Sequence, residues 1–198
     1  MSNKNTTDKI LVILLKNPFS LHTATSLAKT LNLTRQGLWK PLKKLAEDKL
    51  IIINRVGNAK TSTSIIKLNW NNPITEKMLL LSLVKEASNQ QRWMFNFTEL
   101  ENNVEFFILF GSILISQKQA NDIDVLIIAD KKNFKQIDEK ILKIQKSQTK
   151  KIHLIDLTES EFNQELKRQN KAYIDAINKG VILYGQENFI KFIKNLEK

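Results

Sequence analysis

Two aspartates one residue apart, Asp122 and Asp124, flank Ile123 at the head of an apolar run over residues 125–128. Side chains two apart on a strand share a face, so a strand here projects both carboxylates to one side. Upstream, another apolar run, 106–110, ends abruptly in Gly111-Ser112. Paired carboxylates are hard oxygen ligands, and beside a Gly-Ser turn they could hold a divalent cation close to a phosphate. The rest of the chain has to supply the two strands and the turn that would bring these groups together.

With 198 residues, the chain is long enough for one large domain or two small ones. Hydrophobic residues make up 42% and charged residues 26%, the balance of a soluble globular protein. No apolar run approaches the roughly 20 residues that cross a bilayer. The N-terminus, MSNKNTTDK, lacks the apolar core of a secretory signal. The absence of cysteine excludes disulfide scaffolds and thiolate metal sites. A cytoplasmic protein with no membrane partner is expected. The net charge of +11 is unevenly placed: residues 1–72 hold twelve Lys and Arg against three Asp and Glu, and the other 126 hold nineteen against seventeen. Basic charge concentrated in one small module is the electrostatic signature of a nucleic-acid partner.

That module reads as three helices and a hairpin. Residues 8–16 carry Ile10, Leu11, Ile13, Leu14 and Leu15 and stop at Asn17-Pro18. Thr23 is placed to cap a second helix ending near Leu31, and Thr34 a third that runs to about Asp48. Leu38, Leu42 and Leu45 recur there at helical spacing, while Pro41 predicts a kink in mid-helix. Residues 50–56 and 63–68 then read as strands joined through Gly57-Asn58. Two short helices, a tight turn and a basic third helix form a helix-turn-helix pattern, and the following hairpin resembles the wing of winged-helix proteins. The resemblance implies double-stranded DNA as partner of residues 1–70. It places Arg35, Gln36, Trp39, Lys40 and Lys43 towards the major groove or the phosphates, with Arg55 and Lys60 on the wing. Trp39 is read as half core.

Trp70-Asn71-Asn72-Pro73 interrupts the pattern and opens a helical connector, residues 71–103. Ile74, Met78, Leu79, Leu81, Leu83 and Val84 give its long helix a broad apolar surface that must pack against something, and a homodimer is expected. Residues 104–198 alternate strands and helices, as in an α/β or α+β sheet covered by helices: strands 104–110, 122–129, 151–157 and 181–184, and helices 112–118, 132–147, 159–178 and 186–197. Gly180 is expected as a left-handed helix stop.

Leu109-Phe110-Gly111-Ser112, nine intervening residues and Asp122-Ile123-Asp124 together are similar to the signature of polymerase-β-type nucleotidyltransferases, most closely the minimal ones. The closing run Gly180-Val181-Ile182-Leu183-Tyr184-Gly185 resembles the end of those small domains. The resemblance covers roughly residues 104–186 and implies a mixed sheet flanked by helices. In such a site Gly111, Ser112 and Lys118 would meet a nucleotide triphosphate, ATP or another NTP. Asp122 and Asp124 would hold Mg²⁺ or Mn²⁺. The family's third acid lies on a neighbouring strand, here Lys151-Ile152-His153-Leu154-Ile155-Asp156-Leu157. His153 occupies its place, and Asp156 follows three residues later, reaching the site through a β-bulge if one is present. His153 is therefore read as a metal ligand and Asp156 as a catalytic carboxylate. The interval 113–121 lacks the Gly and Arg that many members carry.

Two functions follow. One is metal-dependent transfer of a nucleoside monophosphate, AMP in the first instance, to an acceptor hydroxyl. The acceptor could be a protein, since small domains of this family resemble antitoxins that modify a toxin partner. The other is a winged-helix regulator whose second domain binds nucleotide or mediates assembly.

Overall fold

In the computed structural model, which describes residues 3–57 and 63–197, the apolar residues of the first helix, α1 (Asn3–Lys16), form one wall of the N-terminal core. Ile10, Leu11, Leu14 and Leu15 are buried. Helix α2 (Ala24–Thr30) begins in a capping box. Thr23 Oγ1 accepts the Ser26 N–H at 3.1 Å, and the Ser26 hydroxyl accepts the Thr23 N–H at 2.9 Å. Asn32, at φ +52°, turns the chain into α3 (Arg35–Glu47), where Thr34 Oγ1 accepts the Gly37 N–H at 3.0 Å.

Helix α3 continues across Pro41, which is itself buried beside Leu38, Leu42 and Leu45. Proline removes one helical hydrogen bond, and core burial on this face offsets the loss. Strands β1 (Ile51–Val56) and β2 (Thr63–Leu68) pair antiparallel from Ile51↔Leu68 to Val56↔Thr63. Thr23 bridges Ile65, and the Ile66 N–H donates to the His22 carbonyl at 2.8 Å. The start of α2 is thereby tied to the hairpin, which completes a winged helix.

The chain divides into two compact units, Met1–Ser82 and Leu83–Lys198. Helix α4 (Pro73–Ser88) contributes to both, so the stretch read as a separate connector belongs partly to each. Thr75, Leu79, Leu83 and Ala87 are buried at four-residue spacing, while Ile74, Leu81 and Val84 face outward.

The second unit is a four-stranded mixed sheet in the order β5-β4-β3-β6. Strand β3 (Phe106–Phe110) runs antiparallel to β4 (Asp122–Ile128) and to β6 (Val181–Tyr184), and β4 runs parallel to β5 (Lys151–Leu157). One face carries Phe107, Val125, Ile127, Ile152 and Leu183. It is covered by Trp93 of α5 (Gln91–Asn96), by Leu100 and by Ile137, Ile141 and Ile144 of α6 (Phe134–Gln145). On the other face, Phe106 meets Phe162 of α7 (Glu159–Lys167) and Phe189 and Phe192 of α9 (Gln186–Leu196), with ring centroids 5.5–6.1 Å apart.

Three expectations change here. The helix expected over 112–118 is a single 3-10 turn, Ser112–Leu114. The helix expected over 159–178 is two, α7 and α8 (Lys171–Lys179), separated where Gln169 takes φ +58° and the Asn170 side chain accepts the Ala172 N–H at 3.2 Å. Gly180 is extended, at φ −76° and ψ 164°, and not left-handed. Its lack of a side chain answers to crowding, because a Cβ there would strike the Ala176 carbonyl and the Ile108 side chain.

Helix α7 starts in a second capping box. Glu161 accepts the Thr158 N–H at 2.9 Å and the Thr158 hydroxyl at 2.8 Å, and Lys131 lies 3.2 Å from its carboxylate. The Thr158 N–H first, then its hydroxyl and Lys131, lower the Glu161 carboxyl to about 2. A depressed carboxyl stabilises the fold above its unfolded value of 4.5, and that stabilisation is lost as pH falls towards the folded value. Thermal midpoints followed from pH 5 downward are expected to fall less steeply in Glu161→Gln than in the parent. Parallel curves would show that the cap carries no proton linkage.

Candidate functional site

The buried residues of α3 fix which side of the helix turns outward. Leu38, Pro41, Leu42 and Leu45 occupy one side, so Arg35, Gln36, Trp39, Lys40 and Lys43 are exposed on the other. Lys43 lies 3.7 Å from Glu47, with both side chains mostly in solvent, a pairing weak enough to yield to a stronger anion. Arg55 is exposed on β1 opposite Ser64 of β2. Lys60 lies outside the described residues. Trp39 is 48% exposed, in keeping with the half-core reading. With Arg35 and Gln36 it lines an open groove of about 640 Å³, lined also by Thr25 of α2 and by Thr63 and Ser64 of β2. The surface is basic and rich in hydroxyls, and one helix projects along it.

The carboxylate site forms at the head of β4. Asp122 and Asp124 share the sheet face that carries Phe106, Ile108 and Phe110. This face is aromatic core at the Phe106↔Ile128 end and polar at the Phe110↔Asp124 end. Gly111 takes φ +81° and ψ −161° and lies directly against the Asp124 carboxylate, so that a Cβ on Gly111 would collide with Asp124 Oδ2. That backbone region is essentially reserved for glycine. Ser112 is exposed at the start of the 3-10 turn, and Lys118 is exposed in the segment leading to β4.

The parallel register brings two more groups alongside. Asp124 pairs with His153, whose Nδ1 lies 3.3 Å from Asp124 Oδ1. The imidazole is 62% exposed and the carboxylate 20%. Asp122 pairs with Lys151 at the entrance to β5, and the β4–β5 register fixes this pairing. The adjacent Lys150 donates to the Ala120 carbonyl and so anchors the approach to β4.

Asp156 does not join the group. The β4–β5 ladder runs unbroken from Asp122↔Lys151 to Ile128↔Leu157, and it places Asp156 opposite Ile127. The bulge that would have turned it is absent from this ladder, so its side chain leaves on the opposite face. There burial pushes its carboxyl up, with the nearby charges of Asp138 and Glu161 adding to the shift. Among the described residues, no three His, Asp or Glu side chains converge as a metal site. Asp122 and Asp124 fit the one or two carboxylates that a hard cation takes from protein when phosphates supply the rest. The third strand offers an imidazole where a second hard cation would need an acid, so the residues present do not fit a two-metal centre.

No protein-family model matches the chain, and no curated protein matches it. Two solved structures are similar in part. One is a cysteine-to-serine mutant of ZitR from Lactococcus lactis, 22% identical, with a TM-score of 0.33 over 50% of this chain and 60% of that one. The other is the adhesin competence repressor AdcR from Streptococcus pyogenes, 14% identical, with a TM-score of 0.33 over 72% of this chain and 80% of that one. The chain thus spans less than two thirds of the length of the first. Likenesses of this size carry no conclusion about partners or activity.

Proposed function

We propose that the protein is a DNA-binding regulator that docks α3 on duplex DNA and carries a nucleotide-binding sheet domain C-terminal to it in the chain. The observation that supports this most directly is the outward face of α3, where Arg35, Lys40 and Lys43 stand beside Gln36 and Trp39 without being needed for the core. Each phosphate neutralised by such a side chain releases a counterion, so affinity falls with salt by about 0.9 log units per contact per decade. The full chain is expected to bind a mixed duplex DNA pool with a log–log salt slope of about −3 or steeper, flattened in Lys40→Ala/Lys43→Ala. Absent or salt-independent binding would remove this reading. A homodimer through the exposed Ile74, Leu81 and Val84 of α4 belongs to the same proposal, and sedimentation of a lone monomer at the binding concentration would strike it out.

A second reading attaches to the carboxylate site. Gly111 packed against Asp124, with Asp122 on the same face, supports a phosphate-bearing ligand whose charge is shared with one hard cation such as Mg²⁺ or Mn²⁺. The cation would neutralise phosphate charge there, and Lys151 beside Asp122 would add a fixed positive group. Because His153 stands in the third position, binding of nucleotide is favoured over its transfer to a protein or toxin acceptor.

A further inference from the structure

We propose that Gln36 and Trp39 read adjacent bases of the DNA target, Gln36 an adenine edge and Trp39 a thymine methyl. The inference rests on the DNA-binding reading and adds a base preference to it. Three and four residues apart on a helix are neighbours, so the two side chains stand side by side in the first turns of α3, the part of a recognition helix that reaches bases. The positive charges around them can be satisfied by phosphates, which carry no sequence information. The two uncharged side chains gain less from a phosphate than the cations do, which leaves them for the base edges.

Their chemistry is selective. The glutamine amide offers one acceptor and two donors, matching the N7 acceptor and N6 donor of adenine. Guanine presents N7 and O6, both acceptors, and would leave the Gln36 carbonyl facing another acceptor. Thymine alone adds a methyl group in the major groove, and Trp39 offers an exposed indole for it. On a helix whose other outward side chains are polar, the indole keeps 48% of its surface exposed, and that apolar area is available to a methyl group. The groove that Trp39 lines is also lined by Thr25, Thr63 and Ser64, whose hydroxyls can donate to a phosphate.

The experiment is selection of bound duplexes from a randomised pool by the full chain at fixed salt, followed by affinities for the selected sequence. An adenine and a neighbouring thymine are expected as fixed positions. Gln36→Ala should relax discrimination at the adenine by about 5- to 150-fold. Replacing the selected thymine by uracil, which lacks only the methyl group, should weaken the parent about fourfold and leave Trp39→Ala unaffected. Lys40→Ala should weaken all sequences alike. Gln36 is exposed and Trp39 half-buried, so cooperative thermal unfolding with a parent-like far-UV circular dichroism spectrum will confirm that each variant folds. Fixed positions unchanged in both variants, or no adenine-thymine preference, overturns this inference alone. No binding to any duplex by the parent overturns it together with the DNA-binding reading.

Discussion

Gly185→Val is expected to abolish cooperative folding of the C-terminal unit. Gly185 joins β6 to α9 in the left-handed conformation, φ +72° and ψ 31°. An L-residue there costs about 1–2 kcal/mol from backbone sterics alone. Its surroundings are worse. A Cβ at this position would collide with the Glu105 carbonyl oxygen and lie 2.7 Å from Phe106 Cα and 2.8 Å from the Glu105 carbonyl carbon. These are main-chain atoms at the entrance to β3 and cannot rotate away, so either β3 or α9 must shift. Strand β3 is central in the sheet, and α9 buries Phe189, Ile190, Phe192 and Ile193. A loss of more than about 4 kcal/mol places the variant among the exceptional point mutations, enough to consume much of a domain's stability. Urea unfolding followed by far-UV circular dichroism will read it. Gly185→Asn separates the causes: asparagine tolerates the left-handed region, yet it still carries a Cβ. Comparable damage from both variants is expected. A mild asparagine phenotype would show that backbone strain, not collision, makes glycine necessary.

The fold was legible wherever one residue type had one physical reason to be present. Thr23 and Thr34 announce helix starts, and both cap as expected. The 151–157 strand stands at the bounds expected for it. The break at 168–170 was not legible, because Gln169 in a left-handed conformation carries no glycine or proline to mark it. Gly180 and Gly185 show a related ambiguity: both are small at a helix boundary, but only the second needs a positive φ, and crowding by Ala176 and Ile108 lies outside any local pattern. In the site, strand periodicity put Asp122 and Asp124 on one face. It could not decide between His153 and Asp156, since that depends on whether the β4–β5 ladder contains a bulge. Lys151 beside Asp122 needed the same register. Trp39 was legible in both respects: the spacing of Leu38, Leu42 and Leu45 turns it outward, and at 48% exposure it is half core as read.

Gly111→Ala is expected to lower affinity for a nucleotide triphosphate by on the order of tenfold or more, equal to about 1.4 kcal/mol, while leaving DNA binding by the N-terminal unit unchanged. The conformation at Gly111, φ +81° and ψ −161°, costs a side-chain-bearing residue about 1–3 kcal/mol. The new methyl would also press on the Asp124 carboxylate, with its Cγ 3.1 Å and Cβ 3.3 Å from the added carbon. Asp124 has little freedom to retreat, because it sits in register between Phe110 and His153, with its Oδ1 3.3 Å from the imidazole. The substitution therefore moves the carboxylate that the phosphate and cation would share. Asp122→Asn gives an independent probe, since it removes a charge from the same face without touching the turn. Titration of the full chain with ATP and Mg²⁺ or Mn²⁺ is expected to show binding that both variants weaken. Retained affinity in both would place the nucleotide elsewhere. Labelled ATP adds the arm that separates binding from chemistry: transfer of label to an acceptor, lost in Asp122→Asn, would mean that two carboxylates and His153 suffice for nucleotidyl transfer. Binding without transfer is the expected outcome, because the imidazole of His153 stands where a second hard cation would need a carboxylate.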